Sequence, residues 1–375
     1  MIENNNKVLL VSNSSWSIYN FRLPLIKHLE KNNLKVITCA IHDDKYQKNI
    51  SKHSDFHSFN SNNNFKIKLI NEIYIFIKFI LLLNSKKPDI CLFYTAKPNI
   101  IFSICAIIFK TKYINNITGL GSIFLQKNEV IKFLFKLFFK ISLSKSKCVF
   151  FQNNDDYKYF IKNKLAKRNN SKIIPGSGIN INIKNYYKPK KRNKDYIVFL
   201  CLSRLIRDKG IYEYIEASRV INSKYDNVKF KLIGSTDYNN PSSIKFSDLK
   251  DKLLESKIKY KNFKDYIYEE INECDCIILP SYREGLSRTL LEAGILQKPS
   301  ITSNVPGCRD VIKHKFNGLL CEPKNASDLA SKIEMFINMN NIKIKEMKTN
   351  ALENVLNKFD EKLIFNHYIE MINND

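Results

Sequence analysis

The sequence predicts an α/β protein made of two parallel-sheet domains, and three observations carry that expectation. Short apolar runs alternate with helically spaced apolar residues along the whole chain of 375 residues, the pattern left by parallel strands that are crossed over by helices. That length is enough to bury two cores. A lysine-rich stretch with Pro189 inside it, Asn185–Asp195 (NYYKPKKRNKD), separates an earlier set of runs from a later one and reads as a linker. The expected division is residues 1–188, residues 189–355 and a last helical stretch, residues 356–375.

In chain order, the first set of strands is Val8–Val11, Val36–Cys39, Ile90–Phe93, Tyr113–Ile117 and Cys148–Phe151, each a short β-branched or aromatic run. Between the second and third, Ile70–Leu83 (INEIYIFIKFILLL) is the best membrane-span candidate. Glu72 and Lys78 interrupt it, and it falls short of the roughly 20 apolar residues that a span needs. Ile100–Phe109 is shorter still. The segment from Val130 to Ser142 (VIKFLFKLFFKIS) sets Lys132, Lys136 and Lys140 in one helical row among Phe133, Phe135, Phe138 and Phe139. Such a basic amphipathic helix suits a bilayer interface, with its lysines at the headgroups. It equally suits a packed helix whose lysine stripe faces solvent. The second set of strands is Ile197–Leu202, Val228–Ile233, Cys276–Leu279, Ser300–Thr302 and Leu319–Cys321; Phe359–Ile372 reads as a closing helix, and Asn60–Asn64 and Asp237–Ser243 as surface loops.

The formal charge is +25, and it is uneven: residues 1–185 hold 29 Lys+Arg against 10 Asp+Glu, a net +19. A basic half points to an anionic partner, whether phospholipid, a pyrophosphate or nucleic acid. A chain rich in Asn and Ile with only 10 glycines also fits a codon bias toward lysine. The 9 cysteines form no Cys-x-x-Cys pair, and MIENNNKVLLVSN leads into a strand without a secretory pattern, so the thiols are expected to be reduced core residues in the cytoplasm. His53 and His57 have ligand spacing only if their segment is helical, and two solvent-facing histidines are the simpler expectation. With no glycine before Gly119, the first turn lacks the Gly-x-Gly-x-x-Gly loop of a dinucleotide enzyme. Gly119-Leu-Gly121-x-x-Phe124 and Gly176-Ser-Gly178-x-x-Ile181 lack its third small residue.

The most informative stretch is Leu279–Gly318. A buried strand ends at Pro280, Gly285 permits a turn, and Leu286, Leu290, Leu291 and Ala293 follow at helical spacing. Glu284 therefore sits in the loop and Glu292 on the helix. Amides at the helix start, near Leu286, Ser287 and Arg288, form an anion site beyond the carboxyl end of a strand. Upstream lie Arg204 and Lys209 in SRLIRDKGIYEYIEA, and Gly234 at the end of a strand; downstream come VPGCRDVI and NGLLCEP.

This ordered set resembles the retaining, nucleotide-sugar-dependent glycosyltransferases of family 4. SIYNFRLPLIKHL, ITGLGSIF, FFQNNDD and PGSGIN resemble the branch that extends lipid-linked sugars for capsule, O-antigen or protein glycosylation. The resemblance implies the GT-B fold, two Rossmann-like domains facing across a cleft, with the last helix packed back on the N-terminal domain. It implies Arg204 and Lys209 at the leaving diphosphate, and Glu284 on the hydroxyls of the donor sugar. Glu292 would hold the ribose, with Gly285, Leu286, Ser287 and Gly234 lining the donor site. No Asp-x-Asp occurs, so no metal is expected, and no cofactor beyond the nucleotide-sugar co-substrate. Thr118 stands where relatives often carry a histidine; with Gly119, Arg22 and Lys97 it would line the acceptor side. The implied partners are a UDP-sugar, a polyprenyl-diphosphate-linked sugar and the anionic inner face of the plasma membrane, touched through Lys132, Lys136, Lys140 and Phe133. Two other classes fit parts of the pattern: an isomerase like the UDP-GlcNAc 2-epimerases, and a basic nucleic-acid-binding protein, although no zinc-finger, RRM or KH pattern is present.

Overall fold

The structure is a computed structural model, and it describes residues 6–59, 68–120, 128–187, 196–237, 240–263 and 267–373. The expected loop at 60–64, most of the linker at 185–195 and the end of the Gly119–Phe124 motif lie outside the described residues. The chain divides into two compact units: Met1–Ser177 with Glu361–Asp375, and Gly178–Asp360.

The first unit carries strands β1 (Lys7–Ser14), β2 (Lys35–His42), β3 (Asp55–Ser58), β4 (Ile90–Tyr94), β5 (Lys112–Ile117), β6 (Cys148–Phe151) and β7 (Ser171–Ile173). They form one parallel sheet in the order β3-β2-β1-β4-β5-β6-β7. Its helices are α1 (Ser15–Phe21), α2 (Leu23–Lys31), α3 (Gln47–Ile50), α4 (Lys68–Lys86), α5 (Ser103–Ile108), α6 (Glu129–Leu143) and α7 (Asn154–Lys162), with a π-turn at Pro98–Phe102. In the second unit are α8 (Ile183–Tyr186), β8 (Ile197–Leu202), α9 (Ile211–Asn222), β9 (Val228–Ile233), α10 (Ser247–Glu255) and β10 (Ile258–Lys261). They are followed by α11 (Ile267–Glu273), β11 (Cys276–Leu279), α12 (Arg288–Ile295), β12 (Ser300–Ser303), β13 (Gly318–Cys321), α13 (Ala326–Ile337) and α14 (Asn341–Lys358). This second sheet is also parallel, in the order β10-β9-β8-β11-β12-β13. Helix α15 (Glu361–Asn373) returns to the first unit, where Ile364, Phe365, Tyr368 and Ile372 join the core under α1 and α2.

Strands buried on both faces read as continuous apolar runs, which is why ten of them stand out in the sequence. The three that do not, β3 (DFHS), β7 (SKI) and β10 (IKYK), are short or at a sheet edge and carry polar residues. His57 thus lies in an edge strand and His53 in the turn before it, not in a helix. His57 Nε2 lies 3.1 Å from Asp55 and His53 Nδ1 3.1 Å from Glu30. The unit boundary falls after Ser177 instead of after residue 188, because Ile179 is buried in the second unit's core with Ile181, Ile183 and Tyr187 packed against it. All nine cysteines are buried, and none is in a disulfide. No described helix is long and apolar enough to cross a membrane, α4 included.

Candidate functional site

In a doubly wound sheet, the loops that leave adjacent strands on either side of the reversal in strand order diverge and open a crevice beyond the carboxyl ends. In the second unit the reversal lies between β8 and β11. Lys209 ends a 3-10 turn (Arg207–Lys209) after β8, and Glu284 lies in the loop after β11. Pairing of the two strands brings the loops together. Tyr282 N–H donates to the Asp208 carbonyl at 2.8 Å, and the next residue after the turn, Gly210, has φ +70° with a Cβ position only 2.1 Å from the Pro280 carbonyl oxygen. No other residue fits there. Across this junction Lys209 Nζ donates to Glu284 Oε1, and Ser281 Oγ donates to the same oxygen at 2.7 Å. The two side chains are 17% and 13% exposed, so the pair is shielded but reachable.

The loop after β12 closes behind Glu284. Glu284 N–H donates to the Pro306 carbonyl (3.1 Å), and Gly307, at φ +77°, has its Cβ position 2.6 Å from the Glu284 carbonyl oxygen. Gly307, in the VPGCRD stretch, is the glycine this loop requires; Gly285 is not among those with positive φ. Ser287 is the N-cap of α12, its hydroxyl accepting from Leu290 N–H, while its own amide donates to the Gly307 carbonyl. Of the groups expected to face an anion, the Ser287 amide is therefore already spent on the fold.

Glu292 lies one turn into α12 and is 5% exposed. Arg288, four residues earlier on the same face, donates from Nε to Glu292 Oε1 at 3.1 Å, and the Tyr268 hydroxyl lies 3.5 Å from that oxygen. Burial raises the Glu292 pKa above the usual carboxylate value, with the Arg288 charge and the two hydrogen bonds pulling the other way. Burial, then the Glu292 charge, push the Tyr268 phenol up to about 12. Arg204, by contrast, is exposed and pairs with Asp237 of the loop after β9 at 2.6 Å. Gly234 serves the backbone there: a Cβ would lie 1.9 Å from the Ser203 carbonyl oxygen. Sequence reasoning missed Arg288, Tyr268, Ser281, Asp237 and Gly307. Of these, Arg288 at i−4 from Glu292 and Ser281 at i−3 from Glu284 carried a local signal.

The first unit treats its candidate residues differently. Its reversal lies between β1 and β4. Arg22 is 5% exposed, with its guanidinium 3.9 Å from the centre of the Tyr94 ring and Nη1 donating to Ser177 Oγ at 2.9 Å. Arg22, expected to offer charge to an acceptor, is thus enclosed by contacts within the fold. Lys97 is paired with Glu72 of α4 at 2.8 Å. Thr118 and Gly119 follow β5 directly and are half-buried. Thr95, just beyond β4, has φ +69°, a strained setting for a β-branched residue, and Asn99 Nδ2 holds its carbonyl at 2.8 Å.

The lysine row of α6 is not its outer face. Lys132 bonds Glu129 at 2.7 Å, Lys136 is half-buried 5.8 Å from the Tyr159 ring centre, and of the three Lys140 alone is exposed. Phe133 is 64% exposed. Among the described residues, no group of three or more His, Cys, Asp and Glu is placed to hold a metal.

Residues 7–153 match the family described as "Glycosyl transferase 4-like", and residues 182–354 that described as "Glycosyl transferases group 1". The chain is 26% identical to the N,N'-diacetylbacillosaminyl-diphospho-undecaprenol alpha-1,3-N-acetylgalactosaminyltransferase of Campylobacter jejuni, over 97% of this chain and 98% of that one. It is 29% identical to the capsular polysaccharide biosynthesis glycosyltransferase CapM of Staphylococcus aureus, over 82% of each. Among solved structures, Anabaena HepE in complex with UDP and glucose superposes with a TM-score of 0.78 at 18% identity, covering 98% of this chain and 99% of that one. Sucrose-phosphate synthase from Thermosynechococcus elongatus does so with a TM-score of 0.82 at 17% identity, covering 98% of each. At those identities the structural likeness is one of fold.

Proposed function

This chain is a glycosyltransferase of the family 4 type with the GT-B fold, and from that premise we propose that it moves a sugar, with retention, from a UDP-sugar to a polyprenyl-diphosphate-linked sugar. The observation that carries the donor side is the shielded Lys209–Glu284 pair at the β8/β11 reversal, with buried Glu292 on the next helix. When a nucleoside diphosphate leaves, charge grows on its β-phosphate, and a fixed ammonium stabilises that transition state more than the ground state. Lys209 is that cation in this reading, assisted by the first-turn amides of α12, by the Leu286 amide and the Ser287 hydroxyl, and by Arg204 once it leaves Asp237. Glu284 accepts from the hydroxyls of the donor sugar and Glu292 from the ribose. No metal enters the scheme.

The acceptor side rests on the relatives. The Campylobacter jejuni enzyme and an Escherichia coli galactosyltransferase, 24% identical over 78% of this chain, are both named for diphospho-undecaprenol acceptors. Thr118, Gly119 and Lys97, close to the carboxyl ends of β4 and β5, are the proposed acceptor contacts. An acceptor of that kind places the enzyme on the cytoplasmic face of the plasma membrane, with Lys132, Lys136, Lys140 and Phe133 of α6 near the headgroups. The test is to incubate UDP-sugars with an undecaprenyl-diphosphate-linked sugar and follow the lipid product. Sugar on the lipid supports the proposal. Epimerised donor without transfer, or a nucleic-acid gel shift without turnover, would overturn it.

A further inference from the structure

The first unit turns an apolar wall outward. Connections from β3 to β4, β4 to β5 and β5 to β6 all step the same way across the sheet, so right-handed crossovers place α4, α5 and α6 side by side on one face. Helices α4 and α6 both pack against the π-turn at Pro98–Phe102, and α6 also against α5. Each presents apolar residues on both sides. Helix α4 buries Ile75, Phe79, Leu82 and Leu83, yet exposes Ile70, Ile73, Ile77 and Leu81 in a stripe along its other side. Helix α6 buries Phe139 and Leu143 while exposing Phe133, Leu134, Leu137, Phe138 and Ile141, and Ile108 and Phe109 at the end of α5 are exposed as well. More than half of the large apolar residues exposed on the described chain belong to these three elements. A helix apolar on every side is a helix with a partner.

We propose that the outer faces of α4 and α6 form one wall that inserts into an anionic bilayer, held by apolar burial and not by the lysine row alone. Charge decides the occupant. Residues 68–147 hold 13 lysines against Glu72, Asp89 and Glu129, and Lys78, Lys87, Lys110, Lys112 and Lys140 are exposed around the apolar stripes. Two copies of this chain meeting through the wall would press like charges together, whereas a phosphatidylglycerol surface is complementary to it. Lysines at the margin of an inserted face keep their ammonium groups at headgroup level. This deepens the membrane-bound reading above and rests on it, but adds α4 as a second contact and makes adhesion largely independent of salt.

The test replaces Trp16 by Phe and puts a single tryptophan at Ile77 or at Leu137. Quenching by brominated phosphatidylcholine–phosphatidylglycerol vesicles is then read at low and high salt. Quenching at both positions, persisting in high salt, is expected. Ile77→Asp and Leu137→Asp should each lower partitioning about tenfold, as losing one inserted aliphatic side chain implies. Quenching at Leu137 alone would remove α4 from the contact. Release of the protein by salt would return adhesion to the lysines, and a dimer in light scattering with no quenching would make the wall an interface between two copies. Transfer to a short-chain, water-soluble diphosphate acceptor is measured beside it: turnover there with no vesicle binding overturns the wall and leaves the enzymatic reading standing.

Discussion

Both units wind a parallel sheet in two directions from a central reversal, and the two reversals are put to different use. At β8/β11 a lysine and a glutamate from opposite loops meet, side by side and partly shielded. At β1/β4 the candidate cation Arg22 lies over the Tyr94 ring inside the fold, and Lys97 is tied back to α4 through Glu72. Topology thus provides the crevice, and the residues that fill it decide whether it becomes a charged site or a structural joint. The second unit keeps its charge at the strand ends; the first spreads charge over its outer helices.

The largest effect expected from this contrast is on turnover. Lys209→Ala should lower kcat by about a hundredfold or more, the loss of a transition-state cation, while UDP still binds. Asp237→Ala, which only frees Arg204, should not impair turnover. A Lys209→Ala enzyme with wild-type kcat, measured by product formation at saturating donor, would erase the difference between the two reversals.

Arg22→Leu is the counterpart in the first unit. It removes a buried cation–π contact and the bond to Ser177, and should cost about 2 kcal/mol of stability in denaturant titration. UDP affinity should be unchanged. A normal melting profile with lost acceptor binding would return Arg22 to the acceptor side.

A subtler test uses pH. In the proposed scheme the ribose is held by the Glu292 carboxylate, whose pKa burial raises. Protonation removes the charge-assisted acceptance and leaves a weaker, neutral carboxyl, so UDP affinity should weaken on acidification from a pH above the ordinary carboxylate range, and Glu292→Gln should flatten that dependence. A profile falling only at the pH of an exposed glutamate would place Glu292 outside the contact. The smallest effect is an absence: excess EDTA should leave donor turnover unchanged, because Lys209 and the start of α12 serve the diphosphate. Activity lost to chelation and restored by Mg²⁺ would contradict that.

The second unit was the more legible of the two. Its strands β8, β9 and β11 begin and end where the apolar runs do, and Glu284, Lys209 and Glu292 lie in motifs whose order the sequence displays. Their distant partners were hidden, since nothing local links Gly307 to Glu284 or Tyr268 to Glu292, whereas Ser281, three residues before Glu284, was within local reach. In the first unit, edge strand β3 was invisible because DFHS has no apolar alternation. The outer face of α6 was not legible from its lysine row, because long side chains lie along the protein while their ends reach solvent, so charge spacing does not say which face is outermost. The burial of Arg22 was not legible either, because sequence does not report which charged side chains the fold encloses.

Calorimetry of UDP against wild type, Glu284→Gln and Glu292→Gln tests the donor assignment most directly. Glu292→Gln replaces an acceptor-only carboxylate with an amide and should weaken UDP by about 1–3 kcal/mol. Glu284→Gln should bind UDP as wild type does while losing transfer from the intact nucleotide sugar. Equal loss of UDP affinity in both variants, or none in Glu292→Gln, would contradict the account.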